Sequence, residues 1–260
     1  MMRLSQGQLN LLETCPRKFQ HTYFDQLSSL ATLDQQERLT WGTRFHLLMQ
    51  QRELGLPIDL LEPDDQPLYQ SVQALVQIAP ELFQDDPVNV RQSEHRRSLD
   101  LNGYLLTVVY DLLILGDRQA QILDWKTYPK PQNQRFLEKN WQTRLYPFVL
   151  AETTHYVPDD ISMTYWFVQA QGERDRQPKP QSLRFIYSSA QHERNRADLT
   201  HLLQNLTTWQ QSQSFPQVEE QVGICPTCPF TMRCQRNAPT DDLNQDAKLP
   251  PLAEIQEVSL

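Results

Sequence analysis

Residues 104–126 read YLLTVVYDLLILGDRQAQILDWK, and the fold turns on how this stretch is divided. Tyr104–Leu115 is rich in Leu, Val and Ile with little polar alternation, the pattern of a central strand buried on both faces. Gly116-Asp117 has hairpin-turn chemistry, and a further strand follows around 120–127. Asp111 ends the apolar run Leu105–Tyr110, an unfavourable place for an ionised carboxylate unless a cation compensates it. In the following strand Asp124 and Lys126 are two apart, so both project from one face while Trp125 points into the opposite layer. The Trp125 carbonyl can then lie beside the carboxylate as an extra oxygen ligand. Two carboxylates, a carbonyl and waters suit a hard cation such as Mg²⁺. A metal bridging a phosphate oxygen and a water beside a lysine ammonium is a workable centre for phosphodiester hydrolysis. Taken alone, an Asp-x-Lys triplet is common, and Asp111 could simply cap a strand end.

Outward from this hairpin, Asn102-Gly103 marks a tight turn to a strand at about 94–101. A helix is expected from about Arg135 to His155, with Phe136, Trp141, Leu145, Phe148 and Val149 inward and a kink or break at Pro147. Two strands follow near 161–169 and 182–187, divided by the polar loop QGERDRQPKP, and then a helix from about Ala190 to Gln211. Upstream, Ser5 with Leu9, Leu11 and Leu12 reads as a capped helix start, interrupted at Cys15-Pro16 and resumed through Phe19, Tyr23 and Phe24. Another helix runs from about Arg38 through Trp41, Phe45 and Met49 to Leu54, where Gly55 and Pro57 stop it. Segment 53–86 holds eight acidic residues and no Lys or Arg, and is expected to be a helical insertion with a solvated acidic face. The last stretch, 237–260, has no period and reads as a flexible acidic tail.

The 260 residues carry 24 basic and 32 acidic side chains, with 22% charged and 39% hydrophobic residues and a mean hydropathy of -0.61. These are globular values, and no apolar run approaches the roughly 18 residues of a membrane span. The start MMRLSQGQLN lacks the apolar centre of a signal peptide, so a cytoplasmic location is expected. Taken whole, the net charge of -8 disfavours nucleic acid. The insertion 53–86 alone carries all of it and the tail a further -4, so the remainder is +4. Within that remainder, segment 126–146 sets Lys126, Lys130, Arg135, Lys139 and Arg144 against Glu138, interleaved with Tyr128, Phe136 and Trp141. It suits a DNA strand as well as it suits a solvated helix face. No phosphate loop of the G-x-x-x-x-G-K-[ST] type occurs, so the chain has no ATP-driven motor of its own.

His46 lies mid-helix between Phe45 and Leu47, and Gln142 and Tyr146 are four apart on one helix face. Read blandly, His46 and Tyr146 are core residues and Gln142 is surface. The order His46, Asp111, Asp124-Trp125-Lys126, Gln142-Thr-Arg-Leu-Tyr146 resembles the RecB-like branch of the PD-(D/E)XK nuclease superfamily, with its His, Gly-x-x-Asp, Asp-x-Lys and Gln-x-x-x-Tyr. The opening LSQGQLNLLETCPRKFQ is similar to that branch's N-terminal signature, and the likeness spans about residues 3–236. It implies an α/β restriction-endonuclease-like core, a mixed β-sheet flanked by helices, within a domain spanning 1–236 whose catalytic core is 90–190. It implies metal ligation by His46, Asp111 and Asp124 with the Trp125 carbonyl, activation or positioning of water by Lys126, and a site completed by Gln142 and Tyr146. One departure is Val108, where the family usually has glycine three residues before the first aspartate.

The resemblance implies a Mg²⁺- or Mn²⁺-dependent deoxyribonuclease. Its expected action is as an exonuclease on single-stranded or frayed ends, in repair, recombination or CRISPR adaptation, with a helicase or CRISPR adaptation partner. A non-cleaving DNA-binding or scaffold subunit is the alternative. Four cysteines in a reducing compartment favour metal over disulfide. Cys225-x2-Cys228-x5-Cys234 (within 223–236) with the distant Cys15 resembles the [4Fe–4S] staple of AddB-like and CRISPR-associated members, which would join the N- and C-terminal segments. Zn²⁺ in the same site, or free structural thiols, are the other readings.

Overall fold

The computed structural model describes residues 1–27, 33–58, 66–84, 88–128, 134–168 and 179–236. The chain divides into two units. One comprises residues 1–14 and 30–215, the other 15–29 and 216–260. The tail 237–260, Lys130, most of the loop 171–180 and six of the eight acids of the insertion lie outside the described residues.

The first unit is built on a mixed sheet. Its strands are β1 (Met2–Leu4), β2 (Val90–Leu101), β3 (Tyr104–Leu115), β4 (Ala120–Lys126), β5 (Ile161–Phe167) and β6 (Gln181–Ile186). β2 pairs antiparallel with β3 along its length. The other edge of β3 is shared by β1, parallel at Tyr104–Leu106, and β4, antiparallel at Leu112–Leu115. β4 and β5 run parallel and β6 returns antiparallel. Asp111 lies just past the Leu112–Leu123 pair, where β3 and β4 part.

Asn102 and Gly103, both with positive φ, form the two-residue turn expected between β2 and β3. They fix the register at Leu101–Tyr104. β3 is fully buried along one face, while the other is only half-buried until Leu112–Ile114, so burial on both faces is confined to its C-terminal part. Val108 is buried within this strand, consistent with a side chain packed where glycine is usual.

Helices flank the sheet: α1 (Gln6–Thr14), α3 (Leu33–Glu53), α4 (Gln66–Ile78), α5 (Gln134–Lys139), α6 (Trp141–Thr153) and α7 (Ser189–Ser212), with α2 (Pro16–Tyr23) in the second unit. On one side Phe45, Leu48 and Met49 of α3 and Leu68, Val72 and Leu75 of α4 pack with Leu112, Ile114, Leu123, Trp125 and Trp166. Trp125 thus faces the layer opposite Asp124, as the strand alternation requires. α4 contains no acid and buries an apolar face, and Glu53 pairs with Arg91. The expected solvated acidic face therefore does not lie on this helix. α6 supplies the second layer through Trp141, Leu145, Phe148 and Val149.

Around α5 and α6 the structure departs from the sequence reading in two places, where the helix breaks and which way Phe136 faces. The break falls at Asn140, whose side chain accepts the Gln142 N–H and caps the helix, while Pro147 lies inside it. Asn10 of α1 fixes that start by accepting the Trp141 N–H at 2.9 Å and donating to Asn140 Oδ1 at 3.0 Å. Phe136, expected inward, is 67% exposed.

In the second unit Cys15 caps α2, its sulfur accepting the Lys18 N–H, and the Arg17 N–H bonds the Pro216 carbonyl. Residues 225–236 follow as successive turns, Cys228 N–H to Cys225 O and Cys234 N–H to Phe230 O. All four cysteines are free and all belong to this unit. No helix among the described residues is long and apolar enough to cross a membrane.

Candidate active site

β4 presents Asp124 and Lys126 on the α6 side of the sheet, with the Asp124 Oδ1 and the Lys126 Nζ 2.5 Å apart. Gln142, in the first turn of α6, bridges them. Its Nε2 donates to Asp124 Oδ2 at 2.5 Å and its Oε1 accepts from Lys126 Nζ at 2.7 Å. A carboxamide, with its donor and its acceptor on separate atoms, can give to an anion and take from a cation at once. The Asn140 cap sets where α6 begins and hence which residue meets the pair.

Asp111 enters from β3. Its Oδ2 accepts the Trp125 N–H at 2.7 Å, and its Oδ1 is 3.4 Å from His46 Nδ1 on α3. Tyr146, one turn beyond Gln142, is buried and stacks edge-on against Tyr110, whose hydroxyl donates to the Tyr146 carbonyl at 3.0 Å. The structure therefore brings Asp111, Asp124, Lys126, Gln142, Tyr146 and His46 into one neighbourhood.

Sequence reasoning missed Glu94. The ladder pairs Ser93 with Leu112 and His95 with Tyr110, so Glu94 lies across from Asp111. Its Oε1 is 3.7 Å from His46 Nδ1. His46, Glu94 and Asp111 each offer a ligand atom within 4.8 Å of the others. Glu94 also has a φ of 48°, a left-handed conformation that a non-glycine residue holds inside a strand at a cost of about 1–3 kcal/mol, and that concentrates at functional sites. The signal was available: counting back from the Asn102-Gly103 turn places residue 94 opposite 111.

The field is strongly negative. Burial pushes the His46 pKa down, but Asp111, Glu94 and Asp124 outweigh it and hold it raised, at about 10. Burial raises the Asp124 carboxyl to about 7 against the opposing pull of Lys126. Lys126 is raised because Asp124 overcomes its desolvation. Although Asp124 Oδ1 touches the ammonium, it receives no hydrogen bond of sound geometry. An imidazole amid carboxylates, beside a buried and under-bonded carboxylate oxygen, is a donor set fitted to a hard divalent cation.

The basic segment divides. Trp141 is fully buried, and Arg144 lies over its ring and pairs with Asp198, so both are structural. Tyr128 and Phe136 are exposed. In the second unit, burial raises the Cys234 thiol, and Cys15, Cys228 and Cys225 raise it further, so the four thiols share one electrostatic environment. Among the described residues no three cysteine sulfurs lie within 4.8 Å of one another.

A solved structure of a candidate exonuclease from Eubacterium rectale matches with a TM-score of 0.56 at 9% identity, covering 95% of this chain and 90% of that one. The structure of SSO0001 matches at 12% identity over 89% of this chain and 85% of that one, but its TM-score of 0.41 is too low to bear on the fold. No curated protein sequence matches. The family model of the PD-(D/E)XK nuclease superfamily matches residues 3–235, and the chain belongs to that superfamily.

Proposed function

We propose that this chain is a Mg²⁺- or Mn²⁺-dependent deoxyribonuclease of the RecB-like branch, acting as an exonuclease on single-stranded or frayed DNA ends. The superfamily's nucleases use divalent metals and act on DNA. The observation that carries the reading is the Asp124–Gln142–Lys126 bridge, set beside Asp111 and His46. His46, Asp111, Asp124 and the Trp125 carbonyl are assigned to hold the ion, with Glu94 added. A bound divalent cation supplies charge to the phosphate oxygens and acidifies water. Lys126 holds a positive charge where the phosphate becomes more negative, and Gln142 orients the ammonium and the Asp124 carboxylate toward the site. Tyr146 walls the site behind Gln142. Repair, recombination or CRISPR adaptation, with a helicase or CRISPR adaptation partner, is the context in which such an end-directed activity without its own motor would serve. A cytoplasmic location goes with it.

We further assign the four thiols to a [4Fe–4S] cluster rather than Zn²⁺. All four thiols belong to one unit, and the other three act together on Cys234, which supports a single shared centre of the kind that four thiolates form.

The decisive assay is cleavage of end-labelled DNA with Mg²⁺ or Mn²⁺ by wild type, Asp124→Asn and Lys126→Ala. Loss of product in both variants is expected. Salt-dependent DNA binding by wild type with no product would instead identify a non-cleaving subunit.

A further inference from the structure

We infer that the groove along α3 seats a base of the single DNA strand next to the scissile phosphate, an inference that rests on the nuclease reading above. α3 has two apolar sides. Phe45, Leu48 and Met49 are buried in the core, whereas Leu39 and Leu47 are 67% and 51% exposed. Leu39, Gly42, His46 and Leu47 recur at i, i+3, i+7 and i+8, one stripe of the helix. That stripe lines a cavity of about 620 Å³ whose remaining wall includes Glu94 and Thr127. The volume lies in the range of small-molecule sites, about 300–1,000 Å³.

Two features make the occupant a nucleotide of the substrate. The cavity shares His46 and Glu94 with the candidate metal centre, so a strand whose phosphate sits at that centre carries its neighbouring base to the leucines. Gly42 then holds the groove against the catalytic strand. A β-carbon there would lie 3.1 Å from the Thr127 Oγ1, and Thr127 directly follows Lys126. An apolar floor contacts base faces without reading their edges, as expected of sequence-tolerant binding to single strands.

The test compares wild type with the Leu39→Glu/Leu47→Glu double variant, using a labelled single-stranded oligonucleotide and bis(p-nitrophenyl) phosphate, a phosphodiester without bases. The variant should raise KM for the oligonucleotide by about tenfold with kcat nearly unchanged. It should leave the melting temperature and the turnover of the small diester as they are. An unchanged oligonucleotide KM overturns the inference, as does an equal loss on both substrates. A fall in melting temperature also overturns it, since the leucines would then be covered by the chain itself. Wild-type protein that cleaves neither substrate fails the nuclease reading, and the inference falls with it.

Discussion

In the sheet, Asp124 meets Lys126 and Gln142, and those two bond each other, while Asp111 is pinned by a backbone N–H of the adjoining strand. In the unit that carries residues 15–27 and 216–236 the four thiols are free, burial and the other three raise the proton affinity of Cys234, and Cys225, Cys228 and Cys234 are held by successive turns. Phe19 is the one large apolar side chain fully buried among its described residues. The first region is organised by the protein before any ion arrives. The second has little core to organise it, so its order should depend on what the thiols bind.

The sharpest break is catalytic. Lys126→Ala removes the cation proposed to face the phosphate and leaves Asp124 buried without its partner, so cleavage of labelled DNA should fall by about 10³-fold or more. The fold should also lose about 3–5 kcal/mol in denaturant titration. Retained cleavage would dissolve the contrast. The second region should respond to metal instead: stripping the proposed cluster by chelation or reduction should speed amide exchange across residues 225–236 by about 100-fold. Amides of β3 and β4 should keep their protection. Equal exchange with and without metal would show that the turns suffice.

A smaller effect separates charge from packing within the sheet. In the folded chain the Asp124 carboxyl is raised to about 7 from its usual 3.8. The unfolded chain releases that proton first, so in metal-free protein this group removes stability as pH rises through the window from 3.8 to about 7. Asp124→Asn lacks the term, and its melting temperature should gain on wild type across that window and level off above it. Smallest is the cap: Asn140→Ala should cost about 1 kcal/mol in stability. It should lower kcat more than it changes KM, because it loosens the start of the helix that places Gln142.

What could be read in advance was local. Ser5 and Gln8 form the capping pair, with the Ser5 N–H donating to Gln8 Oε1 at 2.9 Å. Asn102-Gly103 turns where it should, and the alternation Asp124-Trp125-Lys126 sends its side chains to the expected layers. What escaped depended on distant partners. β1 is three residues long and exists by pairing with Tyr104–Leu106. The α6 boundary is set by Asn10, which no periodicity near Asn140 could disclose. Arg144 looked available to DNA until Asp198, 54 residues on, took it. Glu94 needed a register counted across a hairpin, not a motif.

That register gives the Asn102-Gly103 turn a reach beyond its own surroundings. It lies seven residues along β2 from Glu94, about 24 Å at strand rise, yet it is the ruler that decides which side chain stands across from Asp111. One residue inserted in the turn would slide β2 by a step and bring Ser93 or His95 to that place, rewriting the candidate metal centre without touching it. Loop length at a far end of the molecule is therefore part of the enzyme's chemistry, and a place where evolution or an engineer could retune it at a distance.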